Sequence, residues 1–271
     1  METNIKPVKG FFNIDLQELW RFRELFYFLA WRDIKVRYKQ TSIGIVWAVL
    51  QPFLTMLIFS VIFGRVAGIS SGNIPYPIFV YSGLLFWNYF SNALSAASNS
   101  LVAEQNIIQK VYFPKIIIPL SSTLVFLLDF FFAAIILVGL MVYYHFFPSL
   151  VGVLLVVPSI IITFLSFSGL SLMLSSINVK YRDVRYALPF FIQLLIFITP
   201  VIYPASILGT HKWLLYLNPM SGVIETMRVG LLGVGTIDWS VFGFSALLSI
   251  ILFMLGLLYF KRSERFFADI I

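Results

Sequence analysis

The sequence predicts an all-α integral membrane protein: six transmembrane helices, an N-terminal amphipathic interface helix, and short re-entrant external helices before the last span. Two observations predict this class. Of the 271 residues, 60% are hydrophobic and only 11% are charged, whereas soluble domains carry about 25% charged residues. The apolar residues also fall in long runs without the alternation of barrel strands, so helices must satisfy the backbone.

Six apolar runs are long enough to cross about 30 Å of hydrocarbon as helices. They are residues 43–64, 78–102, 116–142, 150–177, 187–203 and 241–260. The only charged residue inside them is Asp129. A lone acid of this kind is interpreted as a structural group bonded to a neighbouring helix, with a proton site as the alternative.

Lysine and arginine predict the orientation, because they accumulate in cytoplasmic segments. With a cytoplasmic N-terminus, only Arg65, Lys212 and Arg228 of the 19 basic residues lie on the external side. The chain is therefore predicted to be a multi-pass protein of the cytoplasmic (inner) membrane with both termini in the cytoplasm. Its parts are a cytoplasmic N-terminus (1–42), a six-helix domain (43–260) with an external re-entrant region (204–240), and a cytoplasmic tail (261–271).

Two segments outside the spans predict membrane-surface helices. Asp15 and Glu18 have the spacing of a capping box, so a helix is expected to begin there. Its apolar residues fall roughly on one side, as in an interfacial helix; they are Leu16, Leu19, Trp20, Phe26, Tyr27, Ala30 and Ile34. Whether it only anchors the chain or also touches a cytoplasmic partner stays open.

In the external region, apolar residues 213–217 and 223–232, interrupted by Asn218-Pro219, predict two short helices dipping into the outer leaflet. A seventh membrane span in this region is the alternative, but it would place the basic C-terminal tail on the external side.

The connection between the second and third spans, residues 104–112, is short and polar and ends before Phe113-Pro114. One or two helical turns are expected before the proline. The polar side chains are Glu104, Gln105, Asn106, Gln109 and Lys110. A short exposed helix between rigid spans suits docking into a groove of a motor domain, and an ordinary loop is the alternative.

Several function classes are disfavoured by residues that the chain lacks. It has no cysteine, and its two histidines, His145 and His211, lie far apart beside aromatic residues, so no metal site is predicted. It has no Gly-x-x-x-x-Gly-Lys-Ser/Thr loop and no catalytic constellation, so it is not predicted to be an enzyme. The net charge of +7 lies beside the spans, which favours anionic lipids over nucleic acid. A pathway without its own energy source predicts a separate ATPase.

A polar stripe on the second span predicts either a water-filled path or hydrogen bonding between helices, because polar groups facing lipid are costly. The stripe comprises Asn88, Asn92, Ser95 and Asn99. Aromatic faces stack on sugar rings, and the aromatic candidates for the lining are Trp47, Phe59, Trp87, Tyr89, Phe197 and Tyr203. The small residues of the fourth span, such as Ser166 and Gly169, predict close helix packing.

Five motifs occur in order along this topology. They are Arg37-Tyr38-Lys39-Gln40-Thr41-Ser42-Ile43-Gly44 with Trp47 and Gln51-Pro52, Phe113-Pro114-Lys115 with Pro119, Lys180-Tyr181-Arg182-Asp183-Val184, Thr199-Pro200-Val201 with Tyr203, and Leu217-Asn218-Pro219-Met220 with Arg228. In these motifs the chain resembles the permease subunits of type-2 ABC exporters, in the branch that exports O-antigen and other lipid-linked polysaccharides for lipopolysaccharide biosynthesis.

The resemblance implies a homodimer with two copies of a cytoplasmic ATPase subunit, which binds ATP and magnesium; this chain itself needs no cofactor. It implies that residues 104–112 form the coupling helix and that a path at the dimer interface takes a polyprenyl-diphosphate-linked polysaccharide. Arg37, Lys39, Arg182 and Arg185 are the candidates for the diphosphate, or alternatively for lipid headgroups. The other cargoes to consider are teichoic acid, capsule, and drugs or small lipids. A non-ABC secondary transporter and a non-transporting anchor are the different-class alternatives.

Overall fold

The computed structural model describes residues 16–39 and 44–270. Asp15 of the proposed capping box and Gln40 to Ile43 of the first motif lie outside them. The α-helices are α1 (Leu16–Arg21), α2 (Arg23–Lys39), α3 (Gly44–Phe59), α4 (Tyr76–Ala103), α5 (Gln105–Lys110), α6 (Ile117–Ser121), α7 (Leu124–Tyr143), α8 (Leu150–Lys180), α9 (Val184–Ile198), α10 (Leu214–Leu217), α11 (Pro219–Leu232) and α12 (Trp239–Ile270). A π-helical segment, Ser60–Val66, extends α3, and a 3-10 segment, Ala205–His211, follows α9.

Within residues 16–39 and 44–270, four stretches are long and apolar enough to cross a membrane: Val46–Val66, Ile117–Tyr143, Leu150–Lys180 and Trp239–Phe267. They coincide with the first, third, fourth and sixth predicted spans. The helical character of the chain and its membrane-spanning class are therefore confirmed. The last of these helices, α12, continues well beyond the predicted end of its span at residue 260.

The second and fifth predicted spans have a different character. The 28 residues of α4 include many serines and asparagines, yet most of them are buried against other helices of this chain. In contrast, α9 has only 15 residues, which gives a helix of about 22 Å. It ends at Ile198, earlier than the predicted boundary, because Pro200 lacks the N–H that a continuing helix requires.

The external region contains a longer helix than expected. Helix α11 begins at Pro219, whereas the sequence pattern placed its start at residue 223. The Asn218 side chain caps it by accepting a hydrogen bond from the Met220 N–H, with proline in the favourable first position. Most of α11 is buried against α8, α12 and α4, so protein covers it.

The N-terminal helices bury only part of the predicted apolar side, since Ala30 is buried and Leu19 and Phe26 are half-buried. Leu29 and Ala30 are the buried residues of α2, and Leu29 was not among the residues expected on the apolar side. Trp20 and Tyr27 were placed on that side, but their side chains are exposed. The helix therefore has two apolar sides, since Leu29 packs into the chain while the large aromatic rings project away from it.

Two clusters of buried side chains form the core. The larger one surrounds α4 and joins it to α7, α8 and α11. The smaller one gathers Leu29 of α2, Leu101 of α4, Ile108 of α5, and Phe260 and Phe267 of α12. It therefore brings the N-terminal helices, the connection between α4 and α6 and the C-terminal end of α12 together on one side of the molecule.

Small residues on α8 allow a close approach to α12, as predicted for the fourth span. A Cβ atom on Gly169 would collide with the backbone of Leu252 and Phe253, and one on Gly256 would collide with the backbone of Gly169. The Ser166 and Ser249 hydroxyls lie 2.7 Å apart in the same contact. The prediction of close packing is confirmed.

Candidate translocation path and coupling surface

A polar recess lies between α3, α4 and α7. Asn88 and Asn92 line it from α4, Gln51 from α3, Asp129 from α7, and Arg37 reaches it from α2. The two asparagines are four residues apart and so share one side of their helix. Part of the polar stripe thus meets the basic end of α2 inside a region that is otherwise apolar.

An ion pair at this recess joins α2 to α7. The Arg37 guanidinium lies 2.6 Å from the Asp129 carboxylate, and the Tyr38 hydroxyl donates a hydrogen bond of 2.6 Å to the same carboxylate. Burial, reinforced by the carboxylate, raises the pKa of the Tyr38 phenol, which stays a donor at neutral pH. Asp129 is therefore bonded to a neighbouring helix, which agrees with the structural interpretation of this acid.

The predicted polar stripe divides into two parts. Asn88 and Asn92 line the recess. Asn99 instead joins helices: its side-chain N–H donates to the Ser95 carbonyl, and its oxygen accepts a hydrogen bond of 3.2 Å from Asn178 of α8. Hydrogen bonding between helices therefore applies to Asn99, a path along Asn88 and Asn92 stays a prediction, and Ser95 is half-buried.

The aromatic candidates also differ in their surroundings. Trp87 and Tyr89 are each only 4% exposed, and the Tyr89 ring packs between Phe130 and Phe167. Trp47 and Phe197 are exposed, on α3 and α9 respectively. The remaining two, Phe59 and Tyr203, are half-buried. The exposed rings are therefore the most accessible to a cargo or a second copy, and Tyr89 reaches the recess with a small part of its surface.

The other basic candidates lie at the surface. Lys39 is exposed at the end of α2, and Arg182 and Arg185 are exposed in and beside the turn between α8 and α9. Lys180, in the same turn, places its ammonium 4.9 Å from the centre of the Tyr181 ring. Unlike Arg37, these side chains are free to reach lipid headgroups or a phosphate.

Helix α5 occupies the predicted polar connection between α4 and α6. Asn106, Gln109 and Lys110 are exposed, Gln105 is half-buried, and Ile108 points into the smaller core cluster. The helix ends at Lys110, before Phe113-Pro114, as expected. One side is thus anchored by an apolar residue while the other presents polar side chains.

Two contacts that the sequence pattern did not indicate, one an ion pair and the other a hydrogen bond, hold the chain on either side of α5 to neighbouring helices. The Arg32 guanidinium donates to both oxygens of Glu104, the residue that begins the connection, and also to Asp33. The bond to Glu104 is the main cause of the raised pKa of Arg32. From the other side, the Glu264 carboxylate accepts hydrogen bonds from the Lys115 backbone N–H and from Lys261. These pairs lie 72 and 149 residues apart in the sequence, so no local signal could have revealed them.

No group of three or more metal-ligating side chains occurs in the described ranges 16–39 and 44–270.

Two curated relatives cover most of the chain at 30% identity. The O-antigen export system permease protein RfbA of Klebsiella pneumoniae matches over 89% of this chain and 92% of its own length. The RfbA protein of Myxococcus xanthus matches over 79% of this chain and 82% of its own. The polysialic acid transport protein KpsM of Escherichia coli is 23% identical over 86% of this chain and 91% of its own length.

The sequence profile of the ABC-2 type transporter family matches residues 24–232, a range that includes the recess, α5 and α11. The match begins in α2 and ends with α11, so it covers every element that borders the recess. The chain therefore belongs to the ABC-2 type transporter family and is a permease subunit of a type-2 ABC exporter.

Proposed function

We propose that this chain exports a polyprenyl-diphosphate-linked polysaccharide of the O-antigen type across the cytoplasmic membrane, as a homodimer bound to two copies of a separate ATPase. The observation that supports this choice of cargo is the 30% identity to O-antigen export permeases over 89% and 79% of the chain. A capsule-type polymer is the second candidate, because the polysialic acid transport relative covers nearly the same range at 23% identity.

The membrane arrangement that fits this function has six spans and both termini in the cytoplasm. Helices α4 and α9 supply the second and fifth crossings, and α10 and α11 form the external re-entrant part. The asymmetry of the basic residues supports this orientation, since only Arg65, Lys212 and Arg228 fall on the external side. The position of α5 beside the ends of α2 and α12 supports it too, because those ends carry the remaining basic clusters.

The transport path is assigned to the surface formed by α3, α9 and the recess beside α4. Helices α3 and α9 expose large apolar side chains along most of their length. A second copy of the chain can cover part of them, and a polymer can pass along aromatic rings such as Trp47 and Phe197. In the recess, Asp129 already neutralises Arg37, so this part suits hydroxyl groups and water better than a diphosphate. The exposed Lys39, Arg182 and Arg185 are then the better diphosphate candidates.

The neutralised carboxylate also argues against an ion-driven transporter. A proton relay requires a group that gains and loses charge during transport. Asp129 instead holds a guanidinium and a phenol. Energy therefore enters through the ATPase, which docks on Gln105, Asn106, Gln109 and Lys110 of α5 and on Glu104 beside it.

Depletion of this chain tests the cargo directly. Polyprenyl-linked glycan would be isolated from depleted cells, and inside-out and right-side-out vesicles would show which leaflet holds it. Accumulation of long lipid-linked polymer on the cytoplasmic leaflet is the expected result, and its sugars would separate an O-antigen from a capsule polymer. If no glycan accumulates and the surface polymer is unchanged, the cargo is a different one.

A further inference from the structure

The chain makes a buried break between α9 and the external region. Residues Thr199 to Ile202 follow α9 without continuing it, and all four are buried. The last carbonyl groups of a helix lack partners within that helix and need them from elsewhere. Here the Tyr203 hydroxyl donates to the Phe197 and Ile198 carbonyl groups, while the carbonyl groups of the break find partners on two other elements, α11 and α4.

Arg228 of α11 supplies most of them. One terminal nitrogen of its guanidinium donates to the Pro200 carbonyl at 2.8 Å and to the Val201 carbonyl at 3.1 Å. The other terminal nitrogen donates to Glu225 at 3.1 Å. The guanidinium carbon lies 3.7 Å from the centre of the Phe79 ring on α4. A single side chain thus connects the break to both α11 and α4.

Two further hydrogen bonds reach the same break. The Asn218 side-chain N–H donates to the Thr199 hydroxyl at 2.7 Å. The Tyr76 hydroxyl, at the start of α4, donates to the Ile202 carbonyl at 2.6 Å. Three consecutive carbonyl groups and one hydroxyl of the break are therefore held by side chains of α4, α11 and the residue that caps α11.

This arrangement specifically requires an arginine. The side chain is 3% exposed, and a buried cation is costly unless it is paired and hydrogen-bonded. A lysine would carry the charge but lacks the planar fork that serves two carbonyl groups and a carboxylate together. Gly83 leaves the space, since a Cβ atom there would lie 3.0 Å from the Arg228 guanidinium and 3.3 Å from the Val201 Cα atom.

The rest of α9 is held much less firmly. Leu188 is its only buried residue, and Tyr186, Phe190 and Phe191 are exposed. One end of the helix is thus fixed by a network of buried polar contacts, while the other packs weakly against this chain. We infer that Arg228 is a positioning residue for transport, which fixes the outer end of α9 and makes the 199–202 break the pivot of that helix. This rests on the proposed function only in assigning α9 to the border of the path.

Hydrogen exchange on the complex of this chain with its ATPase tests the inference, in the nucleotide-free and ATP-trapped states. We expect the amides of Thr199, Val201 and Ile202 to be equally protected in both states, while exchange near residues 184–190 changes. Tyr76→Phe should speed exchange at the break about tenfold, which corresponds to the loss of about one buried hydrogen bond. Arg228→Gln should speed it more, because Arg228 donates to two carbonyl groups of the break. Both should also lower the cargo exported per ATP hydrolysed, and Arg228→Lys should fall between.

Tyr81→Phe is the matched control, because Tyr81 is also a buried tyrosine of α4 whose hydroxyl donates to a carbonyl, that of Ala133 on α7. It should leave exchange at the break and the coupling ratio unchanged. The inference is overturned if Tyr76→Phe behaves like Tyr81→Phe, or if the wild-type break loses its protection when ATP is trapped. If the Arg228→Gln variant fails to assemble, the comparison of Tyr76→Phe with Tyr81→Phe still tests the inference. The exchange measurement needs no cargo, so it stands apart from the identity of the polymer.

Discussion

Arg32 and Arg37 lie on the same helix, and each one pairs with an acidic residue on a different element. Arg32 binds Glu104 at the junction of α4 and α5, and Arg37 binds Asp129 on α7. Helix α2 therefore connects the junction of α4 and α5, where the ATPase is proposed to dock, to α7. A displacement of α5 would be transmitted through charged contacts that are partly shielded from water, and therefore less screened than surface pairs.

Replacing Arg32 by alanine should uncouple ATP hydrolysis from transport. The variant loses a two-pronged contact with Glu104, worth about 1–2 kcal/mol for a half-buried charged pair. We expect the complex to assemble and hydrolyse ATP while export per ATP falls several-fold. Reconstituted vesicles in which both rates are recorded provide the measurement.

Arg23→Ala is the control, since Arg23 lies on the same helix and its only described hydrogen bond is an exposed one to the Trp20 carbonyl. It should leave both rates near those of the wild type. Equal export per ATP in Arg32→Ala and Arg23→Ala would show that the link to Glu104 does not transmit the movement.

At the scale of elements, the crossing of α8 and α12 depends on glycines that allow the two backbones to approach. A methyl group at Gly256 meets the backbone of Gly169 rather than a flexible side chain, so only a shift of a whole helix can relieve it. Gly256→Ala should lower stability by about 1–3 kcal/mol and the thermal unfolding midpoint by several degrees. Unfolding followed in detergent or nanodiscs provides the measurement.

The same helix contains a matched control. Gly243 is exposed, and a Cβ atom there would have no neighbour within 4 Å. Gly243→Ala should raise stability by about 0.5–1 kcal/mol, because alanine favours the helix over glycine. A Gly256→Ala variant as stable as Gly243→Ala would mean that the crossing relaxes at no cost.

The exposed side of α5 makes a separate prediction. Gln105→Ala combined with Lys110→Ala should weaken binding of the ATPase, because it removes two polar side chains from the proposed docking surface while Ile108 keeps the helix anchored. Co-purification of the two subunits measures this. Thr210→Ala combined with Lys212→Ala removes two exposed side chains from the proposed external side and should have no effect. Undiminished co-purification of the first variant would place the docking surface elsewhere.

For the molecule as a whole, hydrophobic runs and proline positions predicted most of the fold. Four spans, the end of α5 before Phe113-Pro114 and the close packing around Gly169 depend on local signals, so the sequence was sufficient. The buried face of α2 was not predictable in the same way. Leu29 is buried in a cluster that also contains residues of α4, α5 and α12, and its own helix offers several apolar sides of similar strength.

The candidate site was predictable in its residue types but not in its pairings. The stripe on α4 and the basic end of α2 were visible in the sequence, whereas their meeting at Asp129 follows from tertiary packing. The contact between Arg37 and Asp129 explains why a lone acid occurs within an apolar span. The guanidinium compensates its charge, which hydrocarbon alone could not do.

The whole chain also predicts a simple biochemical result. The isolated protein should not hydrolyse ATP, because it has no Gly-x-x-x-x-Gly-Lys-Ser/Thr loop to hold phosphates. Phosphate release by purified chain, compared with the complex containing the ATPase, checks this. Turnover in a preparation proven free of other chains would contradict the assignment of all hydrolysis to the partner.

The buried, polar character of α4 has a consequence for how the protein enters the membrane during synthesis. A helix with this many serines and asparagines partitions weakly from the translocon into lipid by itself. Several of its polar side chains bond to carbonyl groups of the same helix, but they are shielded from lipid only when α7 and α8, which are synthesised later, pack against it. Nascent chains that stop before α7 should therefore leave α4 at the translocon or expose it to membrane quality control, and release into lipid should follow the emergence of α8. Of the six proposed crossings, α4 is then the one whose insertion depends most on the helices that come after it.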